Sequence, residues 1–294
     1  MSTMTADAIS QVRDTFNFTV DKFPLSGPDG MATPFYGLFT SHDGKVVGNA
    51  VTSRYRCHQT DDVVAITEAA ISALEDEDIQ VKCHFRDGHY VEYTPSNGQR
   101  LAVYGTADNI FPRFLLRAGY DGRAFSVSLG YYRDLCSNLH IPQTIGKSII
   151  RTIRHTSGLR GKMDELISDF SELGKGWDAI QAAVNRMSAR EVVLTDFLKE
   201  VYGEPEGESK RAETIHKNRT EAIVRRLLGE QVRSGRPQMG GDFRVSAWEA
   251  FNAVQGYVQH EATRKSGFNN GMDRIILANK DSAVGRAELL ALSA

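Results

Sequence analysis

The chain changes its hydrophobic period once. Up to about residue 140, apolar and polar positions alternate in short runs broken by Asp-Gly turns, and from about residue 143 apolar positions recur at three- and four-residue spacing. Ile79 to Arg86 alternates strictly, with Ile79, Val81, Cys83 and Phe85 on one side and Gln80, Lys82, His84 and Arg86 on the other, as a half-buried strand does. Asp87-Gly88 follows as a turn. A three-residue loop through His89 would set Phe85 opposite Val91 and Cys83 opposite Tyr93, which keeps the apolar face continuous and is the expected register. Before this hairpin, Thr60-Asp61 supplies an N-cap for a helix to about Leu74, with Val63, Ile66, Ala70, Ala73 and Leu74 inward. The acidic run Glu75 to Asp78 reads as a solvated loop. A second hairpin spans Phe111 to Arg133 about Asp121-Gly122.

The remaining segments predict helices over Thr144 to His155, Lys162 to Leu173, Trp177 to Met187, Ser188 to Tyr202, Lys210 to Gln231 and Val245 to Thr263. Breaks fall at Gly203 to Ser209 and Ser234 to Gly241. The tail after Gly267 is weakly helical at Ala287 to Leu292. The expected fold class is α+β, with antiparallel β-hairpins packed on helices in the N-terminal half and an all-helical C-terminal half. The division near residue 160 gives an α+β core over 1–160 and a helical domain over 161–294.

Composition adds that the 294 residues are globular, at 41% apolar and 24% charged, with a net charge of −2. That total hides a sorting. Residues 1–110 sum to −7, residues 111–162 to +7 and residues 163–294 to −2, so one strongly basic stretch lies in the middle, where a polyanion partner is expected. Cys57, Cys83 and Cys136 are too few for a disulfide framework and favour a reducing compartment. The N-terminus lacks a signal-peptide core, and no apolar run approaches the ~18 residues of a membrane span. These features predict a cytoplasmic protein without a membrane partner.

Local catalytic motifs fail one by one. Gly146-Lys147-Ser148 resembles the end of a phosphate loop, but position 141, where the motif needs Gly, is Ile. Ser128 sits two before Gly130, but a nucleophile elbow also needs Gly at 126 and finds Ser. Cys57-His58 and Cys83-His84 are adjacent pairs that point to opposite faces of an extended strand, so neither chelates one ion locally. His260-Glu261 lacks a second His at helical spacing, and no dinucleotide fingerprint occurs. No catalytic residue, metal or cofactor is expected.

The basic stretch carries the candidate site. A two-residue turn at Asp121-Gly122 would pair Phe114 with Leu129, Leu116 with Val127 and Ala118 with Phe125 on an apolar face. The other face would set Arg117 opposite Ser126, Leu115 opposite Ser128, Arg113 opposite Gly130 and Phe111 opposite Tyr132. Guanidinium groups among small residues suit phosphates, and an exposed ring suits base stacking. On the expected helix that follows, Lys147, Arg151 and Arg154 share one side, opposite Ile145, Ile149, Ile150 and Ile153, with Arg160 and Lys162 beyond. The expected phosphate contacts are Arg113, Arg117, Arg123, Arg133, Lys147, Arg151, Arg154 and Arg160, with Tyr132 or Phe111 against bases. A second basic region, Lys210 to Arg236, is open to an oligomer contact or a secondary DNA contact. Val245 to Thr263 reads as a core helix holding two satisfied amides, Asn252 and Gln255.

Three segments carry a resemblance: Pro34-Phe35-Tyr36 through Gly48 to Tyr55-Arg56 and Gln59; Tyr131 to Leu139 with Cys136-Ser137-Asn138; and Ser246-Ala247-Trp248 with Phe251-Asn252-Ala253-Val254. Together they resemble a phage/plasmid-like protein family of unknown function, over about residues 17–265. In outline the chain is also similar to single-strand annealing recombinases of the RecT and Redβ type, by analogy of architecture and charge. The resemblance implies a mobile-element setting beside recombination functions. The expected function is therefore ATP-independent binding and annealing of single-stranded DNA in homologous recombination, by a homo-oligomeric ring or filament. The alternative is a mobile-element protein that binds and modulates a host or phage protein, such as a defence-system inhibitor.

Overall fold

The computed structural model describes residues 3–74, 80–85, 88–94, 101–103, 109–120, 124–133, 136–140, 150–168, 170–205, 209–262 and 281–293. By internal contacts the chain forms two units that interleave along the sequence. The first contains residues 1–99, 112–130 and 147–177, and the second contains residues 100–111, 131–146 and 178–294. The class is α+β with antiparallel sheets.

In the first unit, helix α1 (Thr3–Thr15) leads into a three-stranded antiparallel sheet of β1 (Val20–Ser26), β2 (Ala32–Thr40) and β3 (Val51–Thr52), in that order. Its inner face buries Val20, Leu38, Val47 and Val51 with Tyr55 and Tyr120. At the open edge of β1, the Gln59 side chain accepts from the Val20 N–H (3.1 Å) and donates to its carbonyl (2.9 Å), as a neighbouring strand would. Helix α2 (Thr60–Leu74) begins where the sequence predicts, but Gln59 rather than Thr60 is its cap: the Gln59 carbonyl accepts from the Val63 N–H, the Gln59 N–H donates to Asp62 Oδ2 at 2.8 Å, and the Thr60 hydroxyl donates to the Phe16 and Phe18 carbonyls. Val63, Ile66 and Ala70 are buried, as their spacing requires. Ala73 and the side chain of Leu74 fall outside the described side chains.

A larger antiparallel sheet follows: β4 (Gln80–Phe85), β5 (Gly88–Thr94), β7 (Asn109–Gly119), β8 (Phe125–Arg133) and β10 (Ile150–Ile153), in the order β10-β8-β7-β5-β4. The β4–β5 register is shifted from expectation by two residues, which keeps the same face inward. Phe85 lies opposite His89 and Cys83 opposite Val91, because His89 belongs to the buried face rather than to the turn. Gly88 is packed against Gly119, where a Cβ would sit 2.5 Å from the Gly119 Cα. The helix expected over 144–155 is also corrected. Ile150 to Ile153 form strand β10, with Ile150 opposite Ser128 and Ile153 opposite Phe125. Three of these four residues are β-branched, and an open sheet edge offers them ladder hydrogen bonds that a lone short helix cannot match. Helix α3 (Leu159–Ser168) follows, and α4 (Phe170–Ala189) starts in this unit and ends in the second.

In the second unit, β6 (Leu101–Ala102) pairs with the start of β7 and β9 (Cys136–His140) with the end of β8. A two-stranded sheet joins β11 (Glu191–Val193) to β12 (Arg244–Ser246), so this half is not all-helical. Of helices α5 (Leu194–Tyr202), α6 (Lys210–Arg233), α7 (Ala247–His260) and α8 (Ser282–Leu292), α6 and α8 pack on α7, whose Trp248, Phe251 and Val254 are buried, and α5 packs on α8. Ser246 and Glu249 form a reciprocal capping box at its start. Asn252 is fully buried and donates to the Trp248 carbonyl at 2.7 Å.

Gly48 holds the small sheet to the end of β7. Its φ is +65°, and a Cβ there would lie 2.0 Å from the Tyr120 carbonyl oxygen, which also accepts from the Asn49 N–H. Gly48→Ala is expected to cost about 2–4 kcal/mol through strain and displacement of Tyr120, read as a lower urea midpoint with an unchanged slope.

Candidate nucleic-acid interface

The arginines expected on an open hairpin face are turned inward. β7 and β8 are interior strands, and the face carrying Glu92, Leu115 and Ser128 is covered. Arg113 is 9% exposed, with Nη1 2.9 Å from Glu92 Oε2, and its Nε donates to Thr94 Oγ1 at 3.2 Å. Arg117 is buried over the Tyr90 ring at 5.7 Å. Arg133 is buried against Glu230 at 2.8 Å and lies over Trp248 at 5.5 Å. Tyr132 is half-buried, its ring 5.2 Å from Phe111, and Ser128 Oγ donates to the Leu115 carbonyl at 3.5 Å. Both contacts agree with the expected strand opposition, but the exposure expected for Arg113, Arg117 and Arg133 is overturned. A two-stranded hairpin would leave one face wet, whereas β5 flanks this one and supplies Glu92 and Tyr90 to Arg113 and Arg117, and helices α6 and α7 supply Glu230 and Trp248 to Arg133. Arg123 and Lys147 lie outside the described residues, as do the side chains of Arg151 and Arg160.

Arg154 is exposed, directly after β10, and is joined by cations the hairpin reading passed over. The Arg56 N–H donates to the His155 carbonyl at 3.1 Å, and His155 Nδ1 lies 3.2 Å from the Arg56 carbonyl. This backbone pairing sets the segment Arg54 to Arg56 beside Arg154. Arg54, Arg56, Arg154 and Lys162 are all exposed, and none forms an ion pair with a described residue. Arg56 also lines a cleft of about 470 Å³ with Cys57, Gln59, Asp62, Ser157 and Met163. Gln59 is occupied by Val20, and burial raises the Cys57 thiol, which stays protonated and unreactive at neutral pH. The sequence signal for Arg54 and Arg56 was weak, because they sit in the acidic third of the chain.

Behind this surface three histidines are buried together. His58 Nε2 and His89 Nδ1 are 2.8 Å apart, one donating and the other accepting. His58 stacks on Tyr120 at 4.3 Å, and His155 stacks on Tyr55 at 4.8 Å while lying 5.2 Å from His58. Phe16, Phe18 and Phe85 close the box around His89. Burial, with His89 and His155 close by, holds the His58 pKa well below the ordinary value, and burial lowers His89 to about 3. Both rings are neutral at pH 7. Among the described residues, no group of three His, Cys, Asp or Glu side chains is disposed to hold a metal ion. No helix among them is long and apolar enough to cross a membrane.

Two outcomes follow from burial. Arg133→Ala leaves Glu230 buried with one cation fewer and is expected to lower stability by about 3–5 kcal/mol, whereas Arg154→Ala stays within about 0.5 kcal/mol; chemical denaturation separates them. A neutral buried histidine stabilises the fold fully above its unfolded pKa and loses that contribution as pH falls. Below about pH 6.5 His89 alone is expected to remove about 1.4 kcal/mol per pH unit down to its folded value near 3, read from urea midpoints across pH 7.5 to 4.5.

No curated protein and no solved structure matches this chain. A family model does, the domain of unknown function DUF932, over residues 47–276. That span takes in the Arg54–Gln59 segment, both β-hairpins, β10 and the helices α2 to α7. The chain belongs to the DUF932 family.

Proposed function

We propose that the protein binds single-stranded DNA and anneals complementary strands without a nucleotide cofactor, working as an oligomer. The observation that carries this reading is the set of four exposed cations, Arg54, Arg56, Arg154 and Lys162, none in an ion pair with a described residue, on segments tied together by the Arg56–His155 backbone pairing. Such a surface attracts phosphates without reading sequence. Annealing asks for little more, because base pairing supplies the specificity and the protein only holds extended strands with their base edges free. The resemblance to phage and plasmid proteins supports a place in the homologous recombination of a mobile element. Self-association falls to surfaces outside the cation cluster, because those residues are taken up by DNA.

Fluorescence anisotropy with a single-stranded oligonucleotide of roughly 30 residues, titrated over a range of salt, tests this. Each phosphate contact contributes about 0.7 to the slope of log affinity against log salt, so Arg54→Ala/Arg56→Ala/Arg154→Ala is expected to flatten the slope by about 2. Arg113→Ala and Arg117→Ala leave the slope unchanged wherever the protein stays folded. An unaltered slope in the triple variant overturns the assignment of these cations, and no binding by the wild-type protein at low salt overturns the function.

A further inference from the structure

The three-stranded sheet is apolar on both faces. Val20, Leu38 and Val51 fill the inner one. On the outer one Phe23 lies opposite Gly37, Phe35 opposite Thr52 and Phe39 opposite Val46. Phe23 is 54% exposed, Phe35 48% and Val46 63%, and Met31 in the β1–β2 connection is 69% exposed. Half of the large hydrophobic side chains exposed among the described residues thus gather on or beside one small face. A sheet that presents apolar side chains on both sides is stable in water only with a second layer over it.

The rim identifies the layer. Asp21 and Asp29 are exposed around this face, while the nearby Lys45 is already paired with Asp43 at 2.7 Å and Lys22 is turned to the Ser53 and Tyr55 carbonyls. Acidic groups at the rim repel a phosphate backbone, so base stacking on Phe23 and Phe35 is disfavoured. They suit a basic partner that also offers an exposed aliphatic side chain. The first half of α6 has that character. From Lys210 to Glu221 no residue is buried; its outward side carries Lys210, Arg211 and Lys217 with Glu213 and Glu221, Lys217 lying 3.9 Å from Glu221, and Ile215, 48% exposed, stands one turn beyond Arg211 on its flank. Lys210 and Arg211 form no ion pair with a described residue. A twelve-residue stretch of helix at ~1.5 Å per residue is about 18 Å long, enough to cross three strands at ~4.8 Å spacing. A concavity of about 400 Å³ bounded by Asp21, Phe23, Phe39 and Gly44 offers a place for one aliphatic side chain.

Strand addition at the free edge is closed off. Val20 is capped there by Gln59, and Pro24 has no N–H to donate. Face-on docking is what remains.

We propose that the outer face of the β1–β2–β3 sheet docks the N-terminal half of α6 from a second copy of this chain, head to tail. The contact joins two different surfaces, so it propagates into a ring or a filament. It rests on the self-association in the proposed function and is independent of DNA binding.

Sedimentation velocity of the full chain without DNA tests it. The wild-type protein is expected to assemble with rising concentration, while Phe23→Asp/Phe35→Asp and Arg211→Glu/Lys217→Glu each remain monomeric. Mixing the two is expected to give a 1:1 dimer that grows no further, because each variant keeps one intact surface. Asp21→Lys/Asp29→Lys changes only exposed rim positions and guards against a folding defect. It is expected to be monomeric alone and to assemble when mixed with Arg211→Glu/Lys217→Glu, since both contacts are then restored. A wild-type protein that stays monomeric, variants that assemble as it does, or mixtures that remain monomeric each overturn the proposal. Loss of oligonucleotide binding in Phe23→Asp/Phe35→Asp with assembly intact would overturn it in favour of a base-stacking face. Anisotropy unchanged in that variant, with assembly lost, keeps the two readings apart.

Discussion

A single N–H···N hydrogen bond between His58 and His89 ties a loop to the middle of a sheet, and much of the first unit is arranged so that this bond stays dry. His58 lies between β3 and α2, His89 in β5, Tyr120 at the end of β7 and His155 after β10, so four separate stretches meet at one box of rings. Two neutral imidazoles satisfy one another only while neither gains a proton, since a second proton would set two donors face to face in a site that excludes water. The Tyr120 hydroxyl completes the arrangement by donating to the His58 carbonyl at 2.8 Å. Because Arg56 and His155 exchange backbone contacts directly beside the box, the geometry of the exposed cations is set by this buried, uncharged pair.

Charge in this protein is sorted by depth as well as by position. Arg113 with Glu92, and Arg133 with Glu230, are matched pairs under cover, where removing one partner would strand the other. Arg54, Arg56 and Arg154 are solvated and individually contribute little to stability. A linear tally of lysines and arginines counts both kinds alike. The basic stretch in the middle of the chain is therefore real as sequence, yet a good part of it is internal wiring of the sheet.

Legibility followed the strength of local constraints. The apolar stripe of α2, the pairing of β7 with β8 and the Trp248 helix are legible because each is specified by neighbouring residues. The β4–β5 register differs by two residues because a histidine next to a turn looks solvent-facing, and only its partner thirty-one residues earlier makes it a core residue. Ile150 to Ile153 misled in the opposite way, since isoleucines at helical spacing also satisfy a short edge strand once β8 is there to pair with. The three-stranded sheet went unnoticed because its outward positions are apolar too, which erases the alternation that marks a strand. Arg154 is singled out by a helical spacing that strand β10 overturns, and its exposure comes from standing just after that strand; Arg54 and Arg56 join it only through the fold.

The interleaving of the two units has a consequence for synthesis. The first unit closes with residues 147–177, and its box needs His155, so the N-terminal residues 1–99, already made, must wait for the last segment of their own core. At ~5–20 residues per second the delay between the emergence of residue 99 and residue 177 is about 4–16 s, long compared with the collapse of a small domain. Over that interval the nascent chain presents Phe16, Phe18, Phe85 and Tyr120 around an unfinished cavity. The intervening excursions, residues 100–111 and 131–146, belong to a unit that cannot finish until the C-terminal helices exist. Such a chain matures late and nearly all at once, and a truncation near residue 160 would release a first unit deprived of α3 and of the start of α4 rather than a self-sufficient domain.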